Sequence, residues 1–548
     1  WNEARFYDCG ETKAAELIKE GAEKNIESAR NHIQSRCIGL ARLGCTVLQY
    51  DMIGYCDNDQ ISYELAHRFS KQRPEMTSEK NWGLYSPQAE SHLQSIMMLQ
   101  TWNSIRAIDF LQSLPEVDPG RIAVTGASGG GTQTFALSAL DPRVTVSMPA
   151  VMVGTAMQGG CTCENASLMR IKEGNVAFAA LFAPRPLGLT TANDWTREMS
   201  TKGFPEIRKT YQMLGAPSMA TLHDRTEFDH NYNLPSRQAM YRWFNTHLGL
   251  DKPEPDNERP HRRLTEKDLS VFDKNHPKPA GGKEFERRLL ASLANESSAR
   301  IANEPDIARR GWESILGSNL KNTGEVQWQL TGKIDKGSYL EMPGLQNNTT
   351  LGQQVPVIWL YPKNWKSEAA IFLSPQGKSG LYDQEGAPLP QVQALLREGV
   401  SVCGIDLFLQ GEFLKKDGPL LQTRRVKNPR EAACYTLGYN RPLFAHRVQD
   451  ILSTIRMIQD DTHGAKKISL VGLKGSGHWA AAAHFLAGKA IHRAAIESSD
   501  FKFIKITDIR HPDLMPGASK YGGMQGLLDL ASQKAWSVDA NGLPEWLK

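Results

Sequence analysis

Residues 121–132 read Arg-Ile-Ala-Val-Thr-Gly-Ala-Ser-Gly-Gly-Gly-Thr, an apolar, β-prone run that leads directly into a glycine-rich turn. The turn signal Asp118-Pro119-Gly120 precedes the run, and residues 132–140 follow it with a helical pattern. A short apolar run in this context predicts a buried strand. Strands that alternate with helices in this way indicate an α/β fold with a mostly parallel sheet and helices on both faces.

The turn after this strand carries a serine, Ser128, between Gly126 and Gly130. Small residues must flank a side chain at so sharp a turn, which presents the hydroxyl at the positive end of the following helix. A phosphate loop would need Gly-Lys-Ser/Thr, and a dinucleotide site would need an acid after the next strand, which ends at Pro149-Ala150. We therefore predict a nucleophilic serine, with the Gly129 backbone N–H as one oxyanion donor.

A serine hydroxyl needs a base, and the base needs a carboxylate that orients it. Asp194 follows the predicted strand over residues 186–191, and His230 lies just before the last helix of this half of the chain. The order serine, acid, histidine is the one associated with this type of turn. Ser128, Asp194 and His230 are thus the predicted triad, and the weaker candidates for the base are His223, His247 and His261.

Two further predictions concern the packing of the first half. Residues 44–51 are short, apolar and β-prone, and they predict a buried strand that ends in an acid. Ser86-Pro87 opens a helical stretch, since proline is favoured at the first helical position. Helical spacing predicts that one face of this stretch packs inward through Trp102, Ile105, Ile108 and Leu111.

The second half of the chain repeats the order of elements of the first. Residues 400–407 resemble residues 45–52, and residues 468–477 align with residues 122–131. Lys474 stands where the nucleophile would be, and a lysine there would need a very unusual pKa to transfer an acyl group. We therefore predict two tandem copies of one fold, of which the second is non-catalytic.

Composition excludes several classes of protein. The 548 residues carry a formal net charge of only +4, and no basic stripe or run of eighteen apolar residues occurs. The sequence therefore predicts no nucleic-acid partner and no membrane span, and it leaves the oligomeric state open. Among the 8 cysteines, Cys161 and Cys163 form the tight pair, but no further ligands with suitable spacing accompany them. We predict no metal and no cofactor.

At these motifs the sequence resembles the bacterial acetyl-xylan-esterase-like and dienelactone-hydrolase-like group of the α/β-hydrolase superfamily. The resemblance covers about residues 1–250 and is carried by residues 50–55, 106–111, 119–122, 126–133, 194–196 and 230–233. It implies that Ser128, Asp194 and His230 form the triad of a serine carboxylic-ester hydrolase that deacylates carbohydrate esters through an acyl-enzyme on Ser128. The same resemblance implies a bacterial periplasmic or secreted protein.

The resemblance also predicts the domain organisation. We expect a catalytic α/β-hydrolase domain over residues 1–250, a linker and helical segment over 251–325, and a second hydrolase-like domain over 326–548. The family's second oxyanion donor comes from a loop that would precede Trp1, so we expect the first domain to lack its N-terminal strands in this chain. The family usually has a glycine before the base histidine, where this chain has Asp229.

Three residues are predicted to contact the substrate. Glu164 lies in a segment that follows a strand at the site face, and this segment forms either a substrate pocket or an ordinary connector. Trp195 adjoins the acid, where its ring would either stack on a sugar or pack in the core. Tyr55 follows an earlier strand. Two rival functions stay open. One is a serine peptidase of the same fold, and the other is a non-catalytic carbohydrate-binding or structural protein.

Overall fold

The computed structural model describes residues 4–68, 71–414, 418–424, 433–460, 464–498 and 501–548. Its α-helices are α1 (Gly10–Lys19), α2 (Ile26–Arg30), α3 (His32–Arg42), α4 (Pro87–Ser91), α5 (Ile96–Ser113), α6 (Gly129–Leu140), α7 (Asn175–Ala180), α8 (Phe204–Met213), α9 (Leu234–His247), α10 (Glu266–Leu269), α11 (Lys283–Asn303), α12 (Pro305–Leu316), α13 (Pro390–Arg397), α14 (Ala433–Leu437), α15 (Leu443–Asp460), α16 (Gly477–Ala487), α17 (Gly523–Leu530) and α18 (Val538–Asn541). Its strands are β1 (Thr77–Ser78), β2 (Asn81–Trp82), β3 (Ile122–Ala127), β4 (Val144–Ala150), β5 (Leu187–Thr190), β6 (Ala220–His223), β7 (Val326–Leu330), β8 (Ile334–Asp335), β9 (Tyr339–Asn348), β10 (Gln353–Pro362), β11 (Glu368–Leu373), β12 (Val400–Ile405), β13 (Lys467–Gly472), β14 (Arg493–Ile496) and β15 (Trp536–Ser537).

Contacts divide the chain into two compact units. Unit 1 comprises Trp1–Lys71 and Gln94–Arg288, and unit 2 comprises Gln72–Leu93 and Leu289–Lys548. This division differs from the predicted boundaries at 250 and 325. None of the helices in the described ranges is long and apolar enough to cross a membrane.

Side-chain contacts explain both differences in the boundaries. In unit 1 the charged stretch after α9 packs back on its own unit, because the buried Arg237 guanidinium forms ion pairs with Glu23 at 2.7 Å and with Glu258 at 2.6 Å. In unit 2, the Gln88 amide of α4 donates to the backbone carbonyls of Ile504 and Ile506. Both sets of contacts join residues far apart in sequence, so composition alone does not reveal them.

The sheet of unit 1 has four parallel strands in the order β3-β4-β5-β6. Alternate residues of a strand point to opposite faces of a sheet. Leu187 and Leu189 of β5 lie in a buried cluster with Phe135 of α6 and Tyr211 of α8. Residues of β4 on the other face lie in a second cluster with α3 and α9, formed by Val146, Met148, Leu40, Met240 and Phe244. The predicted parallel sheet with helices on both faces is therefore confirmed.

Two predictions about unit 1 are wrong. Residues 45–50 form no strand, because none of the described segments pairs with them and a β-prone run becomes a strand only through such pairing. Trp102 is 45 % exposed rather than packed inward, whereas Ile108 is buried. The buried stripe of α5 runs through Thr101, Ser104 and Ile108, and Trp102 lies about 100° around the helix from Thr101.

The sheet of unit 2 has nine strands in the order β15-β14-β13-β11-β12-β10-β9-β7, with β8 paired to β9. Neighbours from β15 to β12 are parallel, and β10, β9 and β7 continue the sheet with antiparallel pairing. The antiparallel part of the sheet lies within residues 326–362, where β9 pairs with both β7 and β10. The second unit is thus also of the α/β class.

Candidate active site

Ser128 occupies a strained turn between the end of β3 and the start of α6. Its backbone φ is 57° and ψ is −125°, a conformation that is sparsely populated for residues other than glycine. The backbone N–H of Ser128 donates to the carbonyl of Ala150 at 3.2 Å, which anchors the turn on β4. A Cβ atom on Gly126 would lie 2.5 Å from the carbonyl oxygen of Gly130, so only glycine fits at that side of the turn.

The predicted acid and base are in direct contact. Oδ2 of Asp194 lies 2.7 Å from Nδ1 of His230. A carboxylate can only accept, so Nδ1 carries the proton and donates it to Asp194, which leaves Nε2 as the basic nitrogen. His223, His247 and His261 are the weaker candidates for the base. Oδ2 of Asp194 is instead bonded to His230.

Thr196 holds the other carboxylate oxygen of Asp194. Its backbone N–H and its hydroxyl both donate to Oδ1, at 2.7 Å and 2.6 Å. Burial by itself raises the pKa of Asp194, but the hydrogen bonds from His230 and Thr196 outweigh it and lower the pKa below its ordinary value. The carboxylate therefore stays ionised at neutral pH. Sequence reasoning missed the role of Thr196, although an aspartate side chain commonly accepts from the backbone N–H two residues further on.

All three residues emerge from one edge of the sheet of unit 1. Ser128 follows β3, Asp194 follows β5 and His230 follows β6, and these strands are parallel, so their carboxyl ends share one edge. The backbone N–H of Asn193 donates to the carbonyl of Phe228 at 2.8 Å, which ties the loop of the acid to the loop of the base. The fold thus brings the predicted triad to the same edge, with the acid and the base bonded.

Gly129 is the first residue of α6. The first N–H groups of a helix have no acceptor within the helix, and the helix dipole makes that end positive. The position of Gly129 directly after Ser128 therefore suits the oxyanion role that the sequence predicts. That role stays a prediction.

Glu164 is buried beside the same helix end. Its Oε2 accepts from the backbone N–H groups of Gly160 and Cys161 at 2.9 Å and 3.0 Å, and its Oε1 accepts from the Thr132 hydroxyl at 3.2 Å. A Cβ atom built on Gly129 would lie 3.7 Å from Oε1, so the carboxylate reaches the turn itself. Burial, together with the nearby Cys161 thiol, raises the pKa of Glu164. The structure thus places Glu164, a predicted substrate contact, next to the turn that carries Ser128.

The two aromatic candidates lie in different places. The ring of Trp195 is 4.6 Å from the imidazole of His230, centroid to centroid, which places it beside the base. The ring of Tyr55 packs against Tyr63 and His67, at 5.4 Å and 4.5 Å. Substrate binding by either residue stays a prediction.

Unit 2 contains a turn of the same kind with different side chains. Lys474 lies between β13 and α16 with a φ of 50°, close to the φ of Ser128, and its backbone N–H donates to the carboxylate of Glu497. The nearby Ser476 is buried, and its hydroxyl donates to the carbonyls of Leu373 and Leu473 at 2.9 Å and 2.8 Å. These contacts agree with the prediction that unit 2 is non-catalytic, which remains a prediction.

A family model described as "Glucuronyl esterase, fungi" matches residues 56–166, a stretch that contains Ser128 and Glu164. No curated protein sequence matches the chain significantly. Among solved structures, "Methylesterase BT1017" is 24% identical with a TM-score of 0.35, and the alignment covers 50% of this chain and 57% of that chain.

Two other solved structures are also similar. Acetyl Xylan Esterase 1 from Thermoanaerobacterium sp. JW/SL YS485 is 14% identical with a TM-score of 0.29, over 42% of this chain and 76% of that chain. A CE15 glucuronoyl esterase from Caldicellulosiruptor kristjansonii is 18% identical with a TM-score of 0.25, over 34% of this chain and 58% of that chain. At these scores, the structural likeness carries no argument about function. The family match confirms the resemblance to esterases of the α/β-hydrolase type that the sequence motifs predict.

Proposed function

We propose that this protein is a serine carboxylic-ester hydrolase that acts on carbohydrate esters through an acyl-enzyme on Ser128. The observation that carries the proposal is the 2.7 Å hydrogen bond between His230 and Asp194, at the sheet edge from which the strained Ser128 turn emerges. A strained backbone conformation persists only where the surrounding packing holds it, and such conformations cluster at functional sites. The esterase class agrees with the family model that matches residues 56–166.

The proposed reaction has two steps. Oγ of Ser128 attacks the ester carbonyl while Nε2 of His230 takes its proton, and the Gly129 N–H donates to the oxyanion of the tetrahedral intermediate. The intermediate collapses, the C–O bond to the alcohol breaks, and the proton passes from Nε2 to the departing oxygen. Water then attacks the acyl-enzyme with His230 as the base again, and the acid product leaves Ser128. Asp194 stays ionised throughout and stabilises the imidazolium.

The proposed substrate class rests on two features of the site. Trp195 lies beside His230 and offers an aromatic face on which a sugar ring would stack. Glu164 adds buried carboxylate oxygens near the turn, which would accept hydrogen bonds from sugar hydroxyls. These groups suit an ester whose acyl or alcohol part is a carbohydrate, and both acetylated xylan and a methyl ester of glucuronate are therefore test substrates.

The test compares the wild type with Ser128→Ala on p-nitrophenyl acetate, acetylated xylan and methyl glucuronate. Removal of a triad nucleophile is expected to lower kcat by about 10⁴-fold or more. Ser113→Ala is the matched control, because Ser113 is an exposed serine at the end of α5 and its loss should leave kcat unchanged. Equal activity of the wild type and Ser128→Ala would refute the proposal and favour a non-catalytic protein. Faster turnover of aminoacyl amides than of esters would identify a peptidase instead.

A further inference from the structure

Three potential metal ligands meet in unit 1, and none of them belongs to the predicted triad. One ligand atom from each of His67, Cys161 and Cys163 lies within 4.8 Å of the other two. His67 and Cys163 are buried, and Cys161 is partly exposed. The two cysteines flank Thr162 in a single turn, whereas the histidine lies 94 residues before Cys161. The fold therefore supplies the third ligand that the cysteine spacing lacks.

The spacing of these atoms matches a tetrahedral zinc site. With bonds of about 2.3 Å to sulfur and about 2.0 Å to nitrogen, tetrahedral angles place the two ligand atoms about 3.5 Å apart. Sγ of Cys161 lies 3.5 Å from Nδ1 of His67. Two thiolates and an imidazole select zinc over magnesium or calcium, which prefer oxygen ligands.

A hydrogen bond holds the histidine in the form that a metal needs. Nε2 of His67 lies 2.7 Å from the carbonyl oxygen of Ile53, and a carbonyl can only accept. The proton therefore sits on Nε2, and the lone pair of Nδ1 faces Cys161. Histidines that bind metals generally donate their other ring N–H to a carbonyl or carboxylate in this way. The ring of Tyr55 packs against the imidazole at 4.5 Å and fixes its plane.

The turn that carries the cysteines is held in place independently of them. The Thr162 hydroxyl donates to the carbonyl of Ala66 at 3.0 Å, which fastens the turn to the segment of His67. The Asn165 amide donates to the carbonyl of Cys161 at 2.8 Å.

We propose that His67, Cys161 and Cys163 bind one zinc ion, with water as the fourth ligand. Binding releases the thiol protons of Cys161 and Cys163 to solvent, because zinc takes each cysteine as the thiolate. The ion would join residues 64–68 to the turn that leads into Glu164, and so would stabilise the loop beside Ser128. The proposal concerns zinc binding alone and does not depend on the proposed esterase function.

The test uses the full chain, reduced and freed of metal with a chelator. Zinc is added back in competition with a chromophoric chelator, and bound zinc is counted by mass spectrometry. Cobalt serves as a second probe, because thiolate ligands give it a charge-transfer band. The variants are His67→Gln, Cys161→Ser and Cys163→Ser, and Cys45→Ser is the matched control, since Cys45 is a partly buried free cysteine elsewhere in unit 1. Melting temperatures without metal report whether each variant folds.

We expect one zinc per chain with a Kd below about 1 μM. Each ligand variant should bind zinc about 100-fold or more weakly, while Cys45→Ser binds like the wild type. Zinc should raise the melting temperature of the wild type and the control and leave that of the three variants unchanged. Zinc affinity that is absent in the reduced wild type, or equal in all variants, would overturn the proposal. A Cys161–Cys163 disulfide that forms in air, with no zinc bound after its reduction, would overturn it as well.

Discussion

Replacement of Asp194 by asparagine tests the role of the acid with little change in shape. In the structure, Oδ1 of Asp194 accepts two hydrogen bonds from Thr196, and Oδ2 accepts the proton on Nδ1 of His230. In Asp194→Asn we expect the amide oxygen to accept both hydrogen bonds from Thr196. The amide NH₂ group then faces Nδ1 of His230. Nδ1 must then accept, and the imidazole proton moves to Nε2.

This change of tautomer removes the base, because Nε2 can no longer take a proton from Ser128. Loss of the correct tautomer, together with loss of the charge that stabilises the imidazolium, is expected to lower kcat by about 10⁴-fold. That factor corresponds to about 5 kcal/mol in the activation free energy. KM should change little, since no substrate contact is removed.

The assay is ester hydrolysis at saturating substrate, and the matched control is Asp229→Asn. Asp229 is exposed and adjoins His230 in sequence, so Asp229→Asn removes one negative charge beside His230, whose Nδ1 is bonded to Asp194 instead. We expect its kcat to stay within about threefold of the wild type, because exposed charges are screened by solvent. A decrease of less than tenfold in Asp194→Asn, or an equal decrease in both variants, would refute the assigned role.

Three further predictions concern stability. Gly126→Ala should lower the melting temperature and abolish activity, since its Cβ would lie 2.5 Å from a backbone oxygen, whereas Gly130→Ala meets nothing within 4 Å and should fold normally. Arg237→Met should cost about 3–5 kcal/mol of unfolding free energy in urea, because it leaves two buried carboxylates without their cation, and a smaller loss would show that they are solvated. Burial raises the pKa of Asp450 to about 7, above the value of about 3.9 expected in the unfolded chain. The folded state therefore binds this proton more tightly, and the melting temperature should fall as the pH rises from 4 to 7. Asp450→Asn should flatten this fall, whereas the exposed control Asp529→Asn should not, and an unchanged pH profile in Asp450→Asn would contradict the raised pKa of Asp450.

The topology of unit 2 bears on the predicted tandem arrangement. Counted from β9, its strands lie in the order first, second, fourth, third, fifth, sixth and seventh, and the turn with Lys474 follows the fifth. In unit 1 the turn with Ser128 follows β3, after which β4, β5 and β6 lie side by side in sequence order. The two turns therefore occupy comparable places in the two sheets, which supports the proposal that the units are copies of one fold.

The sequence by itself determined the elements whose formation depends on residues that are neighbours in the chain. The run from Ile122 to Leu140 specifies a strand, a sharp turn and a helix, because apolar β-prone residues, glycines and helix formers follow one another without a gap. Ser128, Asp194 and His230 each follow a strand of one parallel sheet, and parallel strands bring their carboxyl ends to one edge. The meeting of these three predicted site residues at that edge was therefore predictable in kind from the chain.

Tertiary structure decided whatever depends on a distant partner. Residues 45–50 have the composition of a strand, yet no neighbouring strand is positioned to pair with them. The segment from Gln72 to Leu93 packs in unit 2 because its polar side chains find acceptors near Ile504. His67 meets Cys161, which lies 94 residues later, and the neighbouring Cys163, a separation that no motif spacing encodes. Such contacts arise only when the whole chain has packed, since each one joins surfaces that lie far apart in the sequence.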